Sequence, residues 1–309
     1  MRMLSENFMQ DLMQPDGLLH PMLDRVQKDQ TLMLAIRENF INIYYRGGNL
    51  ARITEQTPGL DRAHFDAKYN RTGQAMPDLP ASIRSQAESA QWVAAFPALK
   101  QIMDEFFCTH NKPEREFQQL VARENNHSTI SNESEYFISD IEFADTDLRA
   151  RFDLLGIRWD ASLRTNGSRC RAALFEMKYA DDVLGGDAGL LKHLQDIDAL
   201  VQDTGRYTQL LRTMESQFDQ LDQLGLLKFN RSQNGTQVRL DASDKPEVIF
   251  ILANHNPRST KLKTILAAPE LDEYARSTRF DLRFFVSSFA GYGLHTRCML
   301  PLDEFRQLV

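Results

Sequence analysis

Residues 135–182 read EYFISDIEFADTDLRARFDLLGIRWDASLRTNGSRCRAALFEMKYADD, and their reading decides the fold. Three short apolar runs lie in this stretch, Tyr136–Phe143, Arg151–Trp159 and Arg171–Tyr179, separated by Asp, Asn, Gly and Ser. Runs of this length, rich in β-branched and aromatic residues, predict three consecutive antiparallel strands. Charges interrupt two of them: Asp153 in RFDLLGI, and Glu176 and Lys178 in AALFEMKY. Because side chains alternate across a strand, Glu176 and Lys178 share one face and Met177 takes the other. An isolated charge buried in an apolar strand is costly, so these residues require a partner, a metal or a chemical role. A hard divalent cation held by Asp153 and Glu176 meets that requirement, since Mg²⁺ takes oxygen ligands and often only one or two protein carboxylates. Lys178 then lies beside a water that it can orient or help deprotonate.

An Asp on one core strand followed by Glu-x-Lys on the next resembles the signature of the PD-(D/E)XK nuclease superfamily, here Asp153 and then Glu176-Met177-Lys178. Phe152 stands where the family name has proline, a position that varies within the family. Members place a helix with a Glu before the first strand, and residues 113–126, PEREFQQLVARENN, predict an amphipathic helix offering Glu116 or Glu124. A second helix, which in the family often supplies a Gln, is predicted at 188–203, where Lys192 and Gln195 lie one turn apart. VIFILAN at 248–254 is an uninterrupted apolar run suited to a covered central strand.

The resemblance covers roughly residues 111–255 and implies an α/β fold, a restriction-endonuclease-like core whose central mixed β-sheet is flanked by helices. It implies Mg²⁺, with Mn²⁺ able to substitute, on Asp153, Glu176 and the Met177 carbonyl. Lys178 would position the attacking water, Gln195 would orient Lys178 or the substrate backbone, and Glu124 would be an outer ligand, with Glu116 the other candidate. The implied activity is hydrolysis of nucleic-acid phosphodiesters, DNA favoured, in defence or DNA processing. A homodimer follows if both strands are cut. The rival expectation is an inactive nuclease-fold module that binds protein or nucleic acid.

The whole sequence sets bounds on these readings. At 309 residues and 42% hydrophobic content the chain can build one large core or two smaller ones. No apolar run approaches the ~20 residues of a membrane span, and the N-terminus lacks a secretory pattern, so a cytoplasmic location is expected. Cys108, Cys170 and Cys298 show no metal-ligand spacing and read as reduced thiols. His193 and His255 have no His or Cys at ligand spacing, which disfavours zinc. A net charge of −7 runs against simple nucleic-acid binding, but Arg149, Arg151, Arg158, Arg164, Arg169 and Arg171 cluster near the proposed site. Asp140 and Glu142 read as solvated edge-strand charges.

Residues 1–110 form an N-terminal α+β extension to a 111–309 nuclease-like domain. Residues 5–38 read as helical, 41–53 as a hairpin turning at Gly-Gly-Asn, 63–70 as a strand, and 81–107 as a helix that Pro97 kinks or splits. Arg46 and Arg52 beside Tyr44 and Tyr45 offer a base-aromatic mixture able to grip nucleic acid. Asp66-Ala67-Lys68 is a second acid-x-Lys match but lacks an Asp embedded in an upstream strand, and so reads as a decoy. The apolar stripe of 204–230 reads as a core or dimer face.

Overall fold

A computed structural model describes residues 1–127, 134–160, 164, 170–180, 184–185, 189–229, 238–255, 260–287, 294 and 296–309. The chain is mixed α/β and divides into two compact units. One comprises Arg2–Gln119 and Gln220–Leu227, the other Met1, Leu120–Asp219 and Lys228–Val309.

The first unit opens with α1 (Glu6–Met13), whose N-cap Ser5 accepts from the Phe8 N–H, and α2 (His20–Lys28). An antiparallel sheet follows in the order β1 (Leu32–Ile36), β2 (Phe40–Tyr45), β3 (Gly48–Thr57), β4 (Leu60–His64) and β5 (Ser82–Ile83). LMLAI at 32–36, expected to be helical, is therefore a strand: all five residues are buried and paired with β2, and that context overrides helix propensity. The β2–β3 turn falls at Arg46-Gly47, where φ is 49° and 71°, so Gly48 and Asn49 belong to β3. Positive φ at both central residues gives the twist that a tight hairpin needs. The strand expected over 63–70 stops at His64, because the Asp66 carboxylate accepts from the Lys68 N–H at 2.9 Å and favours a 3₁₀ turn over Ala67–Tyr69. Asp66-Ala67-Lys68 thus lies on a turn. Helix α3 (Gln86–Thr109) runs continuously through Pro97, which sits on its exposed side where water can serve the carbonyl that loses its donor.

Helix α4 (Pro113–Asn126) contains the division between the units. The chain continues with β6 (Tyr136–Asp145), β7 (Ala150–Arg158), β8 (Arg171–Tyr179), α5 (Leu190–Gln202), α6 (Thr204–Gln223) and β9 (Glu247–Ala253). Then come α7 (Thr260–Leu266), α8 (Pro269–Ala275), β10 (Asp281–Val286) and α9 (Leu302–Leu308). The sheet order is β10-β9-β8-β7-β6; β6, β7 and β8 are antiparallel, and β9 and β10 run parallel to β8. Every residue of β9 is buried, as an uninterrupted apolar run requires of a central strand covered on both faces. Phe284 of β10 stacks on Phe305 of α9, and Phe137 of β6 meets Phe218 of α6 edge-on.

Two details set the register near the charges. A bulge between Ile138 and Asp140 interrupts β6, and Asn126 bridges it: its Oδ1 accepts from the Ile138 N–H at 2.8 Å and its Nδ2 donates to the Ile138 carbonyl at 2.7 Å. In β7, a Cβ on Gly156 would lie 2.9 Å from the Phe175 ring and 3.0 Å from the Phe137 carbonyl oxygen. Only glycine lets three strands meet there.

Candidate functional site

The last bonded pair between β7 and β8 is Leu154–Phe175, so one further step along the antiparallel register sets Asp153 opposite Glu176. The Asp153 carboxylate closes the ladder itself, accepting from the Met177 N–H at 2.8 Å. Glu176 and Lys178 are 2% and 6% exposed, and the Lys178 ammonium lies 4.0 Å from Glu176 Oε2. Alternation along β8 puts both on one face, while Met177 is fully buried and only its backbone is relevant to the site.

His193 of α5 completes the group. Its Nε2 lies 3.0 Å from Lys178 Nζ and its Nδ1 3.3 Å from Glu176 Oε2. An ammonium can only donate, so Nε2 accepts from Lys178, and the ring proton sits on Nδ1 facing the Glu176 carboxylate. A neutral imidazole in this tautomer joins the two buried charges, so each is held by a polar neighbour rather than by apolar packing. The sequence carried a signal for His193: it is three residues after Leu190 and four before Ile197, both on the buried stripe of α5. A search for metal-ligand spacing passes over that signal.

Other expected positions fall elsewhere. Gln195 is on the exposed side of α5, because two helical residues beyond His193 the chain has turned about half-way round, to the opposite face. Glu124 is 38% exposed and pairs with Arg123 at 3.1 Å. Glu116 is held by Arg46 at 3.0 Å within the first unit. Asp140 is not solvated but fully buried, with Oδ2 accepting from Gln217 of α6 at 2.8 Å and Oδ1 from its neighbour's N–H at 2.8 Å. Glu142 occupies the register position opposite Asp153, since Ile141–Leu154 and Phe143–Phe152 flank it.

The arginine cluster separates into two groups. Arg158 pairs with buried Glu247 at 2.8 Å and Arg171 with Asp281 at 2.6 Å. Arg164 is buried, lies over the Phe137 ring and donates to the carbonyls of Ser134 and Trp159. These three tie the second unit together and are not a ligand-facing band. Arg149 and Arg151 are exposed, and Arg151 shares the β7 face of Asp153. Arg169 lies outside the described residues. Burial pushes the Cys170 thiol up to about 12, as suits a structural thiol.

In the first unit the hairpin residues are likewise structural. Arg46 bonds Asp104 and Glu116, the Tyr45 hydroxyl donates to Asp104, and Arg52 lies over Phe40. Tyr44 accepts from Arg37 and Asn42.

Among the described residues no group of three or more His, Cys, Asp and Glu side chains is arranged to hold a metal ion. Mg²⁺ asks for less, since it commonly binds through one or two carboxylates and keeps several waters. Asp153 and Glu176, opposed on neighbouring strands with the Met177 carbonyl next to Glu176 in sequence, fit that requirement in ligand type and number.

The fold and the site define a mixed α/β chain in which a buried carboxylate and ammonium, joined by a half-buried imidazole, stand beside a second carboxylate on the next strand. The chain matches no family model, no curated protein and no solved structure. No described helix is long and apolar enough to cross a membrane.

Proposed function

We propose that the protein is a Mg²⁺-dependent nuclease with a restriction-endonuclease-like core, acting on nucleic acid, DNA in the first instance. The observation that carries this reading is the setting of Asp153 opposite Glu176, with Lys178 on the same face as Glu176. It is supported by the order helix, three antiparallel strands, helices and a fourth strand parallel to the third, in which α4, β6–β8, α5 and β9 correspond to the core implied by the PD-(D/E)XK resemblance.

A bound Mg²⁺, held by Asp153, Glu176 and the Met177 carbonyl, would supply Lewis-acid polarisation of the scissile phosphate and a nucleophile near neutral pH. Lys178 orients the attacking water and offsets the charge that builds on the phosphate. His193 acts through Lys178: its Nε2 accepts a hydrogen bond from the ammonium and its Nδ1–H faces the Glu176 carboxylate and fixes it. Exposed Arg151, on the face of Asp153, is suited to a backbone phosphate.

The burial of Glu176 and Lys178 favours a second reading, in which the His193-bridged charges are a structural cluster of an inactive module that binds protein or nucleic acid. One experiment separates the two. Purified protein is incubated with plasmid, linear DNA, single strands and RNA in Mg²⁺ or Mn²⁺, beside Asp153→Asn, Glu176→Gln and Lys178→Met. A nuclease cuts at least one substrate, loses about 10²-fold or more in each variant, and gains thermal stability from the metal only with both carboxylates intact. No cutting and no metal-dependent stabilisation would leave the structural module as the correct reading.

A further inference from the structure

The first unit contains a concave site whose chemistry differs from that of the rest of the chain. The Arg46-Gly47 turn, the 3₁₀ turn at Ala67–Tyr69, the end of α3 and the start of α4 enclose a pocket of about 330 Å³. Its lining carries Lys68, Arg71, His110, Lys112 and Arg115 and no carboxylate, in a protein whose net charge is −7. Concentrating basic groups in one concavity raises its potential well above that of the surrounding surface, and an anion that enters relieves their repulsion.

The floor of the pocket is aromatic. Tyr69 meets Phe106 edge-on at 5.2 Å and Phe107 at 5.9 Å; Tyr69 and Phe107 are buried, and Phe106 is half-buried. Arg71 lies over the Phe106 ring at 5.4 Å and donates to His110 Nε2 at 2.6 Å, while His110 stacks on Phe106 at 4.6 Å with 14° between the planes. A ring and an imidazole thus orient the Arg71 guanidinium, and among the described residues no carboxylate pairs with it. Lys68 is partly neutralised by Asp66 at 2.5 Å and sits 5.0 Å from the Tyr69 ring, and Lys112 is exposed. At Gly48 the pocket wall is bare backbone, because a Cβ there would come within 2.6 Å of Met103 and 2.9 Å of the Tyr69 hydroxyl.

Planar rings and an oriented guanidinium suit a nucleobase, and flanking lysines and arginines suit phosphate. The volume lies at the lower end of the ~300–1,000 Å³ typical of small-molecule sites, room for one nucleotide and not for several. We propose that this pocket binds a single nucleotide unit, with its phosphate on Arg71, Lys112 and Arg115 and its base over the Phe106 edge of the aromatic floor. The unit is supplied as a free mononucleotide or as the 5′-phosphorylated end of a strand. The proposal uses no residue of the Asp153–Glu176 site and does not depend on the nuclease reading.

The test is calorimetric titration of the full chain in EDTA, so that no strand is cut. The probes are deoxyadenosine monophosphate, a 5′-phosphorylated oligodeoxynucleotide, deoxyadenosine and inorganic phosphate, applied to wild type and to the doubly substituted Arg71→Ala/Lys112→Ala chain. Both substituted side chains are exposed, and circular dichroism verifies that the variant folds. Saturable binding of the mononucleotide, or of the phosphorylated strand alone, is expected, with affinity at least tenfold above either half-ligand and at least tenfold lower in the variant. The first pattern identifies a free nucleotide and the second a strand end. Absence of binding by both, equal affinity in the variant, or inorganic phosphate binding as tightly as the nucleotide overturns the proposal.

Discussion

At position 193 an imidazole stands between a buried carboxylate and a buried ammonium, and each of those charges would be expensive without it. His193→Ala is expected to lower any Mg²⁺-dependent cleavage about tenfold or more and to change the pH profile, because Lys178 loses its acceptor. Gln195→Ala, two residues along on the exposed side, is expected to stay within about twofold; rates measured across pH for both variants check the pair. Glu176 and Lys178 were legible in the sequence because a charge inside an apolar strand stands out. His193 was harder to see, since one polar residue at the edge of an amphipathic stripe resembles its solvated neighbours. Another buried ionisable group lies in the first unit. Asp61 is almost wholly buried, and burial first, then the nearby Asp11 of α1 and Glu55 of β3, push its carboxyl up to about 7 from 3.8. The native state therefore holds this proton where the unfolded chain has lost it. Its contribution is complete below about pH 4 and declines as pH rises to about 7. Asp61→Asn should flatten that slope and stabilise the protein at pH 8 by roughly 2 kcal/mol, measured by denaturant unfolding across pH.

Among the elements, the antiparallel meander of β6, β7 and β8 carries the candidate chemistry, and its register depends on how the β6 bulge is held. Asn126 serves both backbone groups of Ile138, as a neighbouring strand would. Asn126→Ala leaves those groups buried without that partner, and a loss of about 2 kcal/mol is expected in thermal or urea unfolding, with a weakened site alongside. The meander could be read from the sequence because three runs of similar length are punctuated by turn residues. The parallel pairing of β8 with β9 is a non-local contact that no periodicity encodes. Local chemistry misled in the opposite direction at LMLAI, where pairing with β2 decides between helix and strand. It misled again at the arginines: charge on a strand edge looks like a ligand-facing band until Glu247 and Asp281 are seen to occupy two of them.

For the molecule as a whole, each 35.5 kDa chain offers one Asp153–Glu176 pair, and under the proposed nuclease function one such site would cut only one strand at a time. A nuclease of this form that breaks both strands in a single encounter should scatter light with twice the mass of the chain, whereas a monomer should nick or act on single strands. Light scattering alongside a plasmid assay reads both quantities. The opposition of the two carboxylates also rests on a position with no charge. Gly156 sits three residues from Asp153, where Phe175 and the Phe137 backbone leave no space for even a methyl group. A substitution there would wedge the ribbons apart and slide one acid past the other, silencing the centre while leaving its every functional group in place.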